Sequence, residues 1–146
     1  MSRYLLDTSA LLTLRDDEPG ADVVANLLYQ AQQGDVTCFA SFMTQMELLY
    51  RVWKDKGEKD GRLAYEQCLA LPILWVQVDS ALTEKAAEIK ATQSVSVADA
   101  WIAATAIMQG AILVHKDPEM APLNCAQLAL PYKEAGARLE AGDSAP

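Results

Sequence analysis

Asp7, Glu47, Asp99 and Asp117 lie far apart along the chain, yet each stands where a short apolar run ends or a helix begins. Asp7 closes Tyr4-Leu5-Leu6 and opens Asp7-Thr8-Ser9-Ala10-Leu11-Leu12. Asp117 comes after Ala111-Ile112-Leu113-Val114, with His115 and Lys116 between. Asp99 falls in the first turn of a helix predicted from Ser96, and Glu47 in the first turns of another. If the strands are parallel neighbours, their carboxyl ends converge in one crevice, the usual place for a site in an open α/β sheet. Carboxylates brought together repel one another by several kcal/mol unless a cation compensates them. An all-oxygen cluster of this kind points to Mg²⁺, with Mn²⁺ able to substitute.

The elements that must carry these acids follow from apolar spacing and from turn residues. Strands are expected at residues 3–7, 35–40, 73–78 and 112–115, with a weak last one at 127–130. Helices are expected over 9–14, from the Asp16–Gly20 turn to Gly34, and from Ser41 or Thr44 to the break at Gly57. Further helices run on to Leu71, from the Asp79-Ser80 cap to about Thr92, and from Ser96 to Gln109. Strands alternating with helices imply parallel pairing through right-handed crossovers, with helices on both faces. Residues 1–134 are read as one domain, and 135–146, rich in Ala and Gly, as a frayed tail.

A chain of 146 residues, half of it apolar, can bury a core of its own. Its longest apolar runs fall short of a membrane span, and strand-like sequence from Tyr4 leaves no room for an export signal. A cytoplasmic protein is expected, with Cys38, Cys68 and Cys125 as reduced thiols. With one histidine, His115, a zinc site of the His/Cys kind does not fit. The formal charge of −8 argues against nonspecific nucleic-acid binding over the whole surface. It leaves room for a local basic face. Residues 51–62 hold five of the twelve basic residues, Arg51, Lys54, Lys56, Lys59 and Arg62, beside three acids. Arg51 and Lys54 are candidate phosphate contacts; a solvated, charge-alternating helical hairpin is the other reading of the same stretch. Trp53, Trp75 and Trp101 read as core or interface residues rather than base-stacking platforms.

Four segments in order resemble the PIN-domain family and, within it, the VapC-type ribonuclease toxins of bacterial toxin–antitoxin pairs. Residues 4–11, Tyr-Leu-Leu-Asp-Thr-Ser-Ala-Leu, resemble the opening strand with its metal-binding aspartate. Residues 44–48 resemble the helix with the family's glutamate. Residues 96–106 resemble the helix with the third acid, and residues 112–120 the fourth segment. The resemblance spans about residues 4 to 130. It implies a three-layer α/β/α fold with a central parallel sheet of four to five strands. It also implies an endoribonuclease that hydrolyses RNA phosphodiesters and leaves a 5′-phosphate. Asp7, Asp99 and Asp117 would hold the metal and Glu47 would complete the site, while a homodimer and a cognate antitoxin are the implied partners. One departure stands out: the family usually has Thr or Ser where this chain has His115. His115, Ser9, Ser96 and Glu119 are therefore accessory candidates, and the histidine could hydrogen-bond or titrate near the acids.

Each acid has a bland explanation when taken alone. Asp7 could be a helix cap, Ser96 and Asp99 the outline of a capping box, Asp117-Pro118 a turn, and Glu47 a solvated helix residue. Four independent caps have no reason to fall on one edge of the sheet. Two other functions remain open at this point. A catalytically silent PIN fold would only bind RNA or a partner. A phospho-receiver domain would use Asp79 as acceptor and Lys116 as its lysine, although Asp7 lacks the second acid such a domain carries after its first strand.

Overall fold

The computed structural model describes residues 1–132, so the expected boundary at 134 and the expected tail lie outside the described residues. Five strands, β1 (Ser2–Leu6), β2 (Val36–Ser41), β3 (Leu74–Val76), β4 (Ile112–His115) and β5 (Gln127–Ala129), form one sheet in the order β3-β2-β1-β4-β5. Every pairing is parallel. Six α-helices flank it: α1 (Thr8–Arg15), α2 (Ala21–Gln32), α3 (Phe42–Lys56), α4 (Glu58–Leu69), α5 (Ser80–Thr92) and α6 (Val97–Met108). A short 3₁₀ turn, Pro118–Met120, follows β4.

The period of two along each strand divides the core between the two faces of the sheet. Leu6, Cys38, Ala40 and Val114 pack on one side with Val24 and Leu27 of α2, Leu48 and Val52 of α3, and Ala64 of α4. Leu5, Phe39 and Leu113 pack on the other with Leu82 and Ile89 of α5 and Ile102 and Ala103 of α6. Strands buried on both faces read as continuous apolar runs, which is why the two central strands stand out in the sequence.

Three boundaries depart from the sequence reading. Strand β3 has three residues rather than six, because it is an edge strand with only β2 to pair with. Helix α2 begins after the Asp16–Gly20 turn, not within it: Gly20, at φ 101°, takes a left-handed conformation at the N-cap. Asp7 belongs to α1 as its N-cap, while its N–H still bonds the Val114 carbonyl at 3.0 Å and so extends the β1–β4 ladder by one residue.

The sheet order also decides between folds. A receiver domain has the order 2-1-3-4-5, whereas here β2 and β1 lie between the edge strand before Asp79 and the strand before Lys116. Three interstrand steps of about 4.8 Å separate those strand ends by roughly 14 Å. Asp79 instead caps α5, accepting the Leu82 N–H at 2.8 Å, and the receiver reading is set aside.

Helices α3 and α4 form a tight hairpin through Gly61. A methyl group there would lie 2.9 Å from Trp53 Cβ and 3.0 Å from the Leu49 carbonyl oxygen, too close for a rotamer change to relieve. Gly61→Ala gains about 1 kcal/mol in helix propensity but costs about 1–3 kcal/mol in overpacking. The overpacking should prevail, since the blocking atoms are backbone and Cβ. The expected outcome is a lower urea midpoint with an unchanged m-value; a raised midpoint would show that the hairpin opens freely.

Candidate metal centre

Asp7 sits at the end of β1 and is 4% exposed. Its Oδ2 accepts the backbone N–H of Ser9 at 2.9 Å and the Ser9 hydroxyl proton in a short bond. The same Ser9 oxygen accepts the Lys116 N–H at 2.9 Å, so one hydroxyl ties the start of α1 to the segment after β4. Next along the chain, buried Thr8 donates to Glu47 Oε1 at 2.7 Å, and its hydroxyl is paired with that of Thr44 at 3.0 Å. Thr44 lies three residues before Glu47 on α3, on the same face. Two buried hydroxyls thus aim a glutamate from the second turn of α3 toward the end of β1.

Asp99 is in the first turn of α6, and its N–H is capped by the Ser96 hydroxyl at 3.1 Å. Asp117 caps the 3₁₀ turn through an Oδ1 bond to the Glu119 N–H at 2.9 Å. The local explanations of Asp7, Asp99 and Asp117 therefore hold: two are caps, and one lies three residues after a cap. Parallel topology brings them together nonetheless, since β1 and β4 are neighbours where the chain reverses its direction of winding across the sheet.

Ligand oxygens of Asp99, Asp117 and Glu119 lie within 4.8 Å of one another. Around them is a polar crevice of about 440 Å³, lined also by Asp7, Thr8, Ser9, Glu47, Arg51, Ser96 and Lys116. Five carboxyl groups thus face two cations. Burial raises the Asp7 carboxyl above its ordinary range; the two Ser9 bonds oppose that rise, and the charges of Glu47 and Asp117 add to it. Asp99 is pushed up to about 6, first by burial, then by Asp7 and Asp117, with Ser96 opposing and Glu119 adding. An octahedral ion with oxygens at about 2.1 Å has its cis ligands about 3 Å apart and its trans ligands about 4.2 Å apart. The 4.8 Å spread of the three carboxyls is close enough that small rotations suffice. The donor set is all oxygen, as Mg²⁺ and Mn²⁺ prefer.

All four principal sequence candidates line this crevice, together with Ser9, Ser96, Glu119 and Arg51. Glu119, read as an accessory, lies in the tightest three-acid group, whereas Asp7 lies outside that group on the buried wall. Lys54 is exposed in the last turn of α3 and does not line the crevice. Arg62, from the same basic stretch, pairs with Glu58 at 2.8 Å and stacks on Trp53, as a solvated hairpin would have it. His115 is fully buried and is absent from the crevice lining. Thr8, Thr44 and Lys116 belong to the site without having been singled out for it. Lys116 also approaches Glu18 at 3.5 Å. The sequence signal for Thr8 was its place directly after Asp7; nothing local marks its pairing with Thr44, 36 residues on.

The PIN domain family profile matches residues 4–123. Among solved structures, the chain is similar to VapBC2 from Rickettsia felis bound to a DNA fragment from their promoter. Identity is 20% and the TM-score 0.71, over 88% of this chain and 99% of that one. It is similar to DNA-bound VapBC from Salmonella typhimurium at 19% identity and TM-score 0.71, over 88% and 98% of the two chains. It is also similar to VapC20 from Mycobacterium tuberculosis, described as a sarcin-ricin loop cleaving toxin, at 16% identity and TM-score 0.62, over 82% and 93%. These likenesses concern the fold. No curated protein sequence matches the chain.

The raised Asp99 carboxyl has a consequence for stability. Its folded pKa of about 6 lies above the value of about 3.9 expected unfolded. Between these values the folded state holds more protons, so stability falls as pH rises through the window. Without divalent cations, the thermal midpoint should be higher at pH 5 than at pH 7. Asp99→Asn should flatten that dependence and raise the pH 7 midpoint, as calorimetry in a chelator would show. Parallel curves for parent and variant would contradict the raised carboxyl inferred at Asp99.

Proposed function

The chain belongs to the PIN-domain family, and on that premise we propose that it is a Mg²⁺-dependent endoribonuclease, the toxin of a type II toxin–antitoxin pair. The observation that carries this reading is the convergence of Asp99, Asp117 and Glu119 within 4.8 Å, beside buried Asp7 and oriented Glu47. The crevice hydroxyls of Thr8, Ser9 and Ser96 are each engaged with a carboxyl or a backbone N–H. Each holds an acid or a turn in place, and none is paired with an imidazole as the nucleophile of a Ser–His pair is. Hydrolysis by an activated water is the chemistry left.

Asp99, Asp117 and Glu119, with Asp7, are assigned to hold the cation, and Glu47 to complete the site. When bound, Mg²⁺ or Mn²⁺ supplies a water of lowered pKa and offsets charge on the attacked phosphate. Glu47, kept in place by Thr8, which is itself paired with Thr44, would accept a hydrogen bond from an attacking water. Arg51 is assigned to a phosphate oxygen, where a charge-assisted hydrogen bond holds the strand, while Lys116, its ammonium 3.5 Å from Glu18, adds positive charge at the crevice wall. Ser9 favours the ionised form of Asp7 by donating two hydrogen bonds to it, against the larger effect of burial.

RNA as substrate is supported by the similar toxin described as cleaving the sarcin-ricin loop, and an antitoxin partner by the VapBC structures of the same fold. Exposed Met46, Tyr50 and Trp53 on α3 and Val97 on α6 offer apolar surface for the antitoxin and for a second copy of the chain. No helix among the described residues is long and apolar enough to cross a membrane. A cytoplasmic location goes with this proposed action on RNA.

Two variants test this reading. Asp99→Asn should lower Mg²⁺-dependent cleavage of RNA by at least about 100-fold, since the charge stabilisation at stake is several kcal/mol. Cleavage by the variant at the parent rate would remove the site assignment. A parent that binds RNA but does not cut it with Mg²⁺ or Mn²⁺ would make the fold a binding module. Arg51→Gln should lower the magnitude of the slope of log affinity against log salt by about 0.7, the value for one phosphate contact on a single strand. Lys54→Gln should leave that slope unchanged, and equal slopes for parent and Arg51→Gln would remove Arg51 from the strand's path.

A further inference from the structure

His115 ends β4 with no solvent exposure, and both ring nitrogens are engaged. Nδ1 accepts the backbone N–H of Asp117 at 3.1 Å, and Nε2 lies 2.8 Å from Gln127 Oε1 on the edge strand β5. The Gln127 amide nitrogen faces the carbonyl oxygens of Leu123 at 2.9 Å and Met120 at 3.0 Å, with that of Ala121 at 3.4 Å. Proton placement follows from these partners. Carbonyls cannot donate, so the nitrogen end of the amide faces them and its oxygen faces His115. That oxygen needs a donor, which puts the ring proton on Nε2. The Asp117 N–H needs an acceptor, which leaves Nδ1 bare. One neutral tautomer satisfies every partner.

We infer that Gln127 and His115 form a positioning relay that ties β5 to the main chain at Asp117 and sets the geometry of the Asp117 and Glu119 carboxyls. The relay rests on the cation-site reading given above. Its parts span the acidic segment: His115 holds the Asp117 N–H, and Gln127 holds the carbonyls at Met120 and Leu123, beyond Glu119. A Thr or Ser at position 115 could accept from the Asp117 N–H but is too short to reach β5. In this chain the acids after β4 are therefore braced from the edge of the sheet. Neither His115 nor Gln127 lines the crevice, so both act through Asp117 and Glu119 rather than on substrate.

The test uses the full chain with Gln127→Leu, which removes both ends of the amide, and Gln127→Glu. The latter keeps the shape and the acceptor for His115 but puts a carboxylate against the two carbonyls. Four readouts are taken, on the parent and on variants whose circular dichroism matches it. The ¹⁵N spectrum of His115 should show the Nε2–H tautomer in the parent. Hydrogen exchange at the Asp117 amide should be slow in the parent and at least about 10-fold faster in both variants. Mn²⁺ affinity without RNA should fall by about 10- to 100-fold, the range for residues that orient metal ligands. In turnover, kcat should fall while KM for RNA stays near that of the parent, because Arg51 and Lys116 are untouched. An Nδ1–H tautomer, or variants with parental Asp117 exchange and parental Mn²⁺ affinity, would overturn the relay. A parent that binds no Mn²⁺ would overturn the cation site instead, and the Asp117 exchange rates would still decide for or against the relay.

Discussion

Mutual repulsion among carboxylates is the constraint on which this structure turns. Two unit charges 4.8 Å apart cost about 3–4 kcal/mol at an effective dielectric of 20, and this crevice gathers five acids. A chain free to rearrange would turn those side chains out to water. Here the fold withholds that freedom. The Asp7 backbone is locked into the β1–β4 ladder, Asp99 starts a helix buried against the sheet, and Asp117 and Glu119 share a capped turn. Asp7 and Asp99 are both held above the ordinary carboxylate range, first by burial and further by the charges of their acidic neighbours. A divalent cation would convert the same arrangement from a cost into a binding site.

The polar scaffold around the acids is built largely from hydroxyls. Ser9 bonds Asp7 and the Lys116 N–H, Thr8 and Thr44 hold Glu47, and Ser96 caps the turn that presents Asp99. A hydroxyl can donate to a carboxylate and accept from a backbone N–H, so it orients an acid without adding net charge. Positive charge is confined to Arg51 and Lys116 within the crevice. For a chain of net charge −8, the proposed anionic strand would meet a favourable field only where a cation and these side chains act together.

Much of this was legible in the sequence because the informative residues sit at boundaries that local chemistry marks. Asp7, Asp99 and Asp117 each follow a readable apolar run or helix start, and the alternation of strands and helices requires a parallel sheet. The central strands were clear for the same reason that they are buried on both faces. What stayed hidden was non-local. Thr44 looks like any residue of a first helical turn until it meets Thr8, and Gln127 looks like a polar residue of a weak strand until it meets His115. His115, read as a residue beside the acids that could hydrogen-bond or titrate, is enclosed with both nitrogens bonded, and nothing local marks Gln127 as its partner. The boundary differences have separate causes: β3 is an edge strand with a single partner, and the start of α2 depends on the left-handed turn at Gly20.

The most direct measurement is anomalous diffraction from crystals of the full chain grown or soaked with Mn²⁺. The account predicts an anomalous peak about 2.1–2.2 Å from carboxylate oxygens of Asp99, Asp117 and Glu119, on the side facing Asp7. Density at a different site in a crystal whose dissolved protein cuts RNA, or no density at saturating Mn²⁺, would contradict it.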